Sequence, residues 1–307
     1  MRTLDCVSVS VTRCGFKIVP WASSPCRMSL KVRVERQFGT ASMAVAPGYK
    51  TATRVMIIAF ALIAFLCLGT ACSVAQTGDT WTAQQDQDLK EALTKSLDSL
   101  NERIKATPDD LQLHSQRGDV HFYLGHFTEA VTDYTRMIEL RPEEEASHWR
   151  RGIALFYAKE YADGAAQFEK YHSFDNVDRE NGIWRYFCQV KAVGKEQAQR
   201  ELLRYEKDDR PPFPEVYRLF SGKLTAEEVL ASVATSSEAN RQANEFYAHL
   251  YVGLNSALDG KQEEALAHLR AATDNPWPRS AGYGPRYMWH VGRLHLEVLT
   301  AEARQRD

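Results

Sequence analysis

A 34-residue periodicity in the middle of the chain constrains the fold more than any other sequence feature. Seven positions match when residues 111–144 are aligned with residues 145–178: His114 with His148, Arg117 with Arg151, Gly118 with Gly152, Phe122 with Phe156, Tyr123 with Tyr157, Phe127 with Tyr161 and Tyr134 with Phe168. Periods of about 20 to 50 residues are typical of solenoids, in which each unit buries its apolar face only against its neighbours. The chain is therefore predicted to fold as an array of stacked units.

The repeated residues have the chemistry of a helical hairpin. Gly118 and Gly152 would let two helices approach closely. Gly125 would open the turn between the helices, and Pro142 would end the second helix. A 34-residue period with this pattern is that of the tetratricopeptide repeat (TPR). We therefore predict an all-α TPR solenoid of helical hairpins, with an N-terminal helix and a C-terminal capping helix.

Weaker matches extend the array beyond its two clear units. TPR units are predicted at about 111–144, 145–178, 179–207 and 246–277, with an insertion at 208–240. In the third unit Tyr186 replaces the small residue of the first helix, so that hairpin should open slightly. Within the insertion, Thr225 and Glu228 form a capping box that predicts the start of a helix. Amphipathic spacing predicts the flanking helices, from Asp86 to Ala106 and from about Arg286 to Arg304.

An apolar segment near the N-terminus predicts export. Residues 55–68 form an unbroken apolar run after Lys50 and Arg54, and small residues follow it, as in a secretory signal. Three outcomes stay open for residues 43–75: lipidation of Cys72, cleavage to a soluble product, or retention as a single membrane span. The chain is accordingly divided into a non-native or unstructured extension at 1–42, a signal peptide or membrane anchor at 43–75, a linker at 76–85 and a TPR domain at 86–304.

Charge and cysteine content exclude several classes of function. Nine of the 38 Lys and Arg but only two of the 40 Asp and Glu lie in residues 1–54, so the rest of the chain is acidic. An acidic domain offers no basic stripe to bind phosphates, which argues against a nucleic-acid partner. Five of the six cysteines lie at or before Cys72, so Cys188 is alone in the domain. No internal disulfide is predicted there.

The domain lacks the common motifs of enzyme chemistry. Its sequence contains no phosphate-binding Gly-rich loop, no G-x-S-x-G, no H-E-x-x-H and no paired C-x-x-C. His121 with His126, and His290 with His295, are five residues apart, which is about 140° around a helix and disfavours shared metal ligation. We therefore predict a non-enzymatic protein with no metal site and no cofactor.

The first helices of TPR hairpins line a concave surface that would receive a partner. The predicted peptide-binding residues are Asp119, Tyr123, Trp149, Arg150, Phe156, Tyr157, Phe187 and Lys191. Rigid rings beside a few charges suit an extended or helical peptide, although each ring has packing between repeats as its alternative role. Arg150 and Lys191 are expected to pair with acidic groups of a peptide. The Lys and Asn clamp of chaperone-binding TPR proteins is absent, because Ser115 and Trp149 occupy the place of its first Lys, which disfavours a cytosolic co-chaperone.

Three segments carry a more specific resemblance. They are HWRRGIALFY at 148–157, GIWRY at 182–186 with KEQA at 195–198, and RLFSGKLTAEE at 218–228. Together they resemble the NlpI-type TPR lipoproteins of Gram-negative envelopes, and the order of units corresponds from about Leu89 to Leu299.

The resemblance implies a homodimeric outer-membrane lipoprotein that faces the periplasm. Members of that family act as adaptors that bring cell-wall hydrolases to a periplasmic tail-specific protease. The function expected from it is thus a scaffold that binds proteins through its concave groove and the membrane through its N-terminus. The alternative is a TPR component of another envelope assembly, such as secretion or outer-membrane biogenesis.

Overall fold

The computed structural model describes residues 80–207 and 209–305 of the 307-residue chain. The predicted extension at 1–42, the predicted signal or anchor at 43–75 and its Cys72 lie outside the described residues. The helices are α1 (Ala83–Ala106), α2 (Leu111–Tyr123), α3 (Phe127–Leu140), α4 (Trp149–Tyr157), α5 (Tyr161–Phe174), α6 (Arg179–Val193), α7 (Lys195–Arg200), α8 (Phe213–Phe220), α9 (Ala226–Ala234), α10 (Glu238–Leu258), α11 (Gln262–Asp274), α12 (Trp277–Ser280) and α13 (Tyr283–Arg304), with a 3₁₀ turn at Pro142–Glu144. The described part of the chain is an all-α, TPR-type solenoid of helical hairpins.

Side-chain caps fix where several helices begin. Thr82 and Gln85 form a capping box at the start of α1, which therefore begins three residues before the predicted Asp86. The capping box of Thr225 and Glu228 starts α9, as the sequence predicts. Because each cap satisfies backbone N–H groups that the first helical turn leaves free, local sequence alone determines these boundaries.

Close contact between paired helices explains the repeated glycines. A Cβ atom at Gly118 would lie 2.6 Å from Cε1 of Tyr134, and one at Gly152 would lie 2.6 Å from Cε2 of Phe168. Both distances are far below van der Waals contact, so only glycine fits where α2 meets α3 and where α4 meets α5. The predicted close approach of these hairpins is confirmed.

The third hairpin departs from the repeat. Its second helix, α7, has six residues and ends at Arg200, well before the end of the predicted unit at about residue 207. Tyr186 of α6 is buried, and its ring centroid lies 5.5 Å from that of Phe220 in α8. The insertion thus supplies packing against α6 through α8.

The last helix returns to the first, so the array closes on itself. Arg293 of α13 is only 2% exposed, and its guanidinium donates to Asp86 of α1 at 3.0 Å and to the carbonyl of Tyr123 at 2.5 Å. Next to this contact, the rings of Trp81 and Trp289 pack edge to face with centroids 4.7 Å apart. The helix predicted to cap the stack therefore also joins its two ends.

Candidate functional site

The C-terminal helix α13 lies against the face that was predicted to receive a partner. Three contacts join α13 to predicted binding residues: the ring of Tyr123 stacks on His290 with centroids 3.8 Å apart, Trp149 packs edge-on against Tyr287 at 4.9 Å, and the Tyr157 hydroxyl lies 3.2 Å from Nδ1 of His295. These rings therefore serve intramolecular packing first. A double substitution of Trp149 and Tyr157 by alanine would remove contacts with α13, so a loss of partner binding could come from a disturbed fold.

The charged residues at the centre of this face are also satisfied within the chain. Arg150 donates to Asp119 at 2.7 Å and to Ser115 at 3.0 Å. The hydroxyls of Tyr134 and Tyr283 each donate to the same Asp119 carboxylate at 2.7 Å. Arg150 thus already has an acidic partner, Asp119, in a half-buried site within the chain, and its pairing with an acidic group of a peptide stays a prediction.

Two predicted groove rings contribute mainly to the core. Phe187 is 1% exposed and lies between Trp184 and Phe220, with ring centroids 5.4 and 5.2 Å away. Phe156 is buried as well, and its ring packs edge-on against Trp184 at 5.6 Å. The alternative interpretation, packing between repeats, holds for both residues.

The predicted face stays open at the C-terminal ends of α4 and α13. A groove of about 440 Å³ lies there, which we call the α4–α13 groove. Its apolar lining includes Tyr157, Phe127 and Leu299, and Val298 is 42% exposed along it. Its lining also includes Phe156, Phe187, Lys159, Lys191 and Glu302, the last three of which are exposed. Four of the eight predicted binding residues thus meet in one groove.

Lys159 holds a backbone conformation that side chains usually avoid. Its φ is +65°, whereas the turns before α3 and α11 place glycine at the equivalent position, Gly125 with φ +82° and Gly260 with φ +73°. A left-handed residue other than glycine costs about 1–2 kcal/mol. Such strain concentrates at functional positions. Lys159 therefore occupies, at the rim of the groove, a backbone conformation that glycine would adopt with less strain.

A second opening lies at the N-terminal ends of α4 and α13. This cavity has a volume of about 490 Å³, and Trp149 forms part of its wall. Its charged lining consists of two carboxylates, Asp178 and Glu180, and one basic residue, Arg210. We call it the acidic cavity.

Hydrogen bonds and burial set the electrostatics of the acidic cavity. Glu180 accepts a hydrogen bond from Tyr251 at 2.5 Å and one from Arg210 at 2.8 Å. Burial raises the pKa of Glu180 to about 7, and the negative charge of Asp178 contributes to the rise. The single guanidinium therefore does not fully offset the cost of a buried carboxylate.

A pH series should report this raised pKa. The folded protein holds the Glu180 proton more tightly than the unfolded chain, whose carboxyl has a pKa near 4.5. The melting temperature of the wild type, relative to that of Glu180→Gln, should therefore fall as the pH rises from about 4.5 to about 7. Asp178, Asp209, Arg210 and Tyr251 face the same carboxyl and are unchanged in the variant. A difference that is constant between pH 5 and 8 would contradict the assignment.

Sequence reasoning missed the part of the site that α13 supplies. Tyr283, Tyr287, His290 and Leu294 recur every three or four residues, which marks one face of a helix. That pattern shows that the face is buried but not against which surface. No group of three or more possible metal ligands occurs among residues 80–207 and 209–305.

Comparisons with known proteins support the TPR assignment and a protein-binding role. No protein-family model matches the chain. A protein SGT1 homolog of Bos taurus is 24% identical over 131 residues, 43% of this chain and 39% of the relative. The SGT1 homolog of Homo sapiens is 32% identical over 117 residues, 38% and 30% of the two chains. The Hsp70-Hsp90 organizing protein of Triticum aestivum is 25% identical over 126 residues, 40% and 22%.

These matches define a class of protein and no particular member. The chain spans at most 39% of the length of the three relatives. What they support is a TPR-type protein with a protein-interaction role of the adaptor kind, and they do not show the NlpI-type identity that the sequence resembles.

The predicted localisation is wrong. A periplasm-facing, membrane-anchored protein of the cell envelope was expected, but the relatives are SGT1 homologs and Hsp70-Hsp90 organizing proteins, not envelope lipoproteins. Within the part of the chain that the structure describes, no helix is both long enough and apolar enough to cross a membrane. The expectation rested on residues 43–75, whose pattern of basic, apolar and small residues is a local signal and does not depend on the fold.

Proposed function

We propose that this chain is a non-enzymatic adaptor that binds a segment of a partner protein in the α4–α13 groove. The observation that carries the proposal is that α13 fills the centre of the inner face but leaves this apolar groove open, with a strained lysine at its rim. A partner segment that covers Val298 would remove exposed apolar surface from water, which is the main source of affinity in such grooves.

The charges around the groove favour an apolar segment that carries an acidic residue. Lys159 and Lys191 are both exposed and both line the groove, and Glu302 is the acidic residue beside them. Because exposed charges act mainly on the rate of encounter, the lysines would orient the partner while the apolar floor holds it. The segment is thus expected to place its acidic group toward α4 and α6, away from Glu302.

Two partner classes follow from different observations. The resemblance to NlpI-type proteins implies a tail-specific protease together with cell-wall hydrolases. The similarity to Hsp70-Hsp90 organizing proteins implies Hsp70 and Hsp90. Chaperone-binding TPR proteins have a lysine of their clamp where this chain has Ser115, and here Ser115 accepts a hydrogen bond from Arg150. This difference argues against Hsp70 and Hsp90 as partners. Binding of the full chain to each candidate, by calorimetry, separates them.

The test of the groove uses one charge substitution and a matched control. Peptides are selected from a random display library with the full chain, and the affinity of the best binder is measured for each variant. Val298→Asp should weaken binding at least about tenfold, since a charge would enter an apolar contact. Val193→Asp is the control, because Val193 is 50% exposed at the end of α6 and does not line the groove. Equal loss in both variants would refute the groove as the binding site.

The variant Lys159→Gly tests whether Lys159 contributes to peptide binding separately from its effect on stability. Glycine relieves the left-handed strain but loses more conformational freedom on folding. The free energy of unfolding should therefore stay the same or rise by up to about 1 kcal/mol. Peptide affinity should fall a few fold, more at low salt than at high salt. A variant that gains stability and keeps full affinity at every salt concentration would show that Lys159 has no part in binding.

A further inference from the structure

We propose that the acidic cavity binds the ammonium or guanidinium group of a lysine or arginine side chain carried by a partner polypeptide. This site lies at the opposite ends of α4 and α13 from the α4–α13 groove. The inference goes beyond the proposed function, since the cavity would recognise a basic group and the groove an acidic one.

The first argument is an excess of negative charge. Among the residues that the structure describes, Arg210 is the only basic one that lines the cavity. Its guanidinium nitrogens lie 2.8 Å from Glu180, 3.3 Å from Asp209 and 3.5 Å from Asp178, so three carboxylates share one cation. Each carboxylate oxygen can accept two hydrogen bonds, and oxygens such as Oε2 of Glu180 retain capacity for a second donor. A second cation would therefore be stabilised at this place.

The second argument is the aromatic wall, which is independent of the carboxylates. Five aromatic side chains line the cavity: Trp149, Tyr171, Trp184, Tyr247 and Trp277. The faces of such rings attract cations, and tryptophan does so most strongly. The same region already contains one such contact, with Cζ of Arg210 4.3 Å from the centre of the Phe213 ring. Rings combined with carboxylates select an organic cation over a neutral group.

The size of the cavity favours a side chain on a polypeptide over a small free amine. At about 490 Å³ it lies within the range of about 300–1,000 Å³ that holds drug-sized ligands. Apolar residues such as Ile153 and Met288 suit the aliphatic stem of lysine or arginine. Asn240, which is exposed, offers its amide to the backbone of flanking residues.

The test compares short peptides that differ only in the central side chain. The probes are acetylated, amidated tripeptides with lysine, arginine or norleucine between two alanines, and 1,5-diaminopentane as a free amine. Binding to the full chain is followed by calorimetry and by tryptophan emission, because three tryptophans line the cavity. The lysine and arginine peptides should bind at least tenfold more tightly than the norleucine peptide and more tightly than the diamine.

Variants then locate the binding. Glu180→Gln should weaken the basic peptides at least fivefold, whereas Glu263→Gln, on an exposed residue of α11 that does not line the cavity, should leave their affinity unchanged. Ala243→Phe, which fills the cavity from α10 and keeps every charge, should abolish binding and covers the case in which Glu180→Gln fails to fold. Equal affinity for the norleucine peptide, tighter binding of the diamine, or full binding by Ala243→Phe would each overturn the proposal. None of these results bears on peptide binding in the α4–α13 groove, so each of the two proposals can fail without the other.

Discussion

Replacing Tyr287 by alanine should lower the free energy of unfolding by about 3–5 kcal/mol, the usual cost of removing a buried aromatic ring. Tyr287 is fully buried in α13. Its ring stacks on Phe122 of the first hairpin with centroids 4.7 Å apart and meets the edge of Trp149 of the second hairpin at 4.9 Å. The substitution therefore removes contacts between the last helix and two repeats at once, and urea or thermal unfolding measures the loss.

Two variants serve as controls for Tyr287→Ala. Tyr287→Phe keeps the ring and removes only a hydroxyl that lies 3.4 Å from that of Tyr134, so it should cost about 1 kcal/mol or less. Val298→Ala changes an exposed residue of the same helix and should stay within about 0.5 kcal/mol of the wild type. A Tyr287→Ala protein that unfolds at the same urea concentration as the wild type would show that α13 does not pack on the inner face.

Gly152→Leu should destabilise the protein by about 3 kcal/mol or more, at or beyond the upper end of ordinary overpacking. A Cβ atom there would lie 2.6 Å from two ring carbons of Phe168, and that ring is fully buried and cannot move into solvent. Repeats are stabilised mainly by their neighbours, so the loss should spread to the adjoining hairpins. Hydrogen exchange should show reduced protection in α2 and α3 as well as in α4 and α5.

Gly284→Ala provides the matched control for Gly152→Leu. Gly284 also lies in a helix, α13, but nothing lies within 4 Å of a Cβ atom built there. Alanine should be neutral or should stabilise the helix by up to about 1 kcal/mol, because it has the higher helix propensity. If Gly152→Leu and Gly284→Ala melt alike, the 34-residue register is incorrect.

Much of the fold can be predicted from residues close together in the sequence. The 34-residue match of Gly118 with Gly152 identifies the hairpins, because each glycine meets a ring 16 residues later, Tyr134 or Phe168, on the facing helix. The capping box at Thr225 and the left-handed turn at Gly125 are likewise local. These features depend on backbone geometry and on neighbours within one unit, which a sequence pattern records directly.

The candidate site is less accessible to sequence reasoning. The binding residues are predicted from their positions within the repeat, and the sequence gives no measure of which of them stay exposed. Arg150 forms an ion pair with Asp119, and Phe187 is buried in the core, whereas Lys191 is exposed at the surface of a groove. Exposure of a side chain depends on every element packed around it, including the insertion that brings Phe220 against Phe187.

The sequence by itself determined the class of fold, the close contact within the first two hairpins and the capped start of α9. Only the tertiary structure decided that α13 fills the inner face, because that choice rests on contacts such as Tyr123 with His290 and Tyr157 with His295, between residues more than 130 positions apart. The periodicity of α13 shows that one side of the helix is buried, but several apolar surfaces of the array could bury it equally well. In the structure α13 packs on the inner face with Arg293 paired to Asp86, and two openings remain at the ends of α4, where partners are proposed to bind.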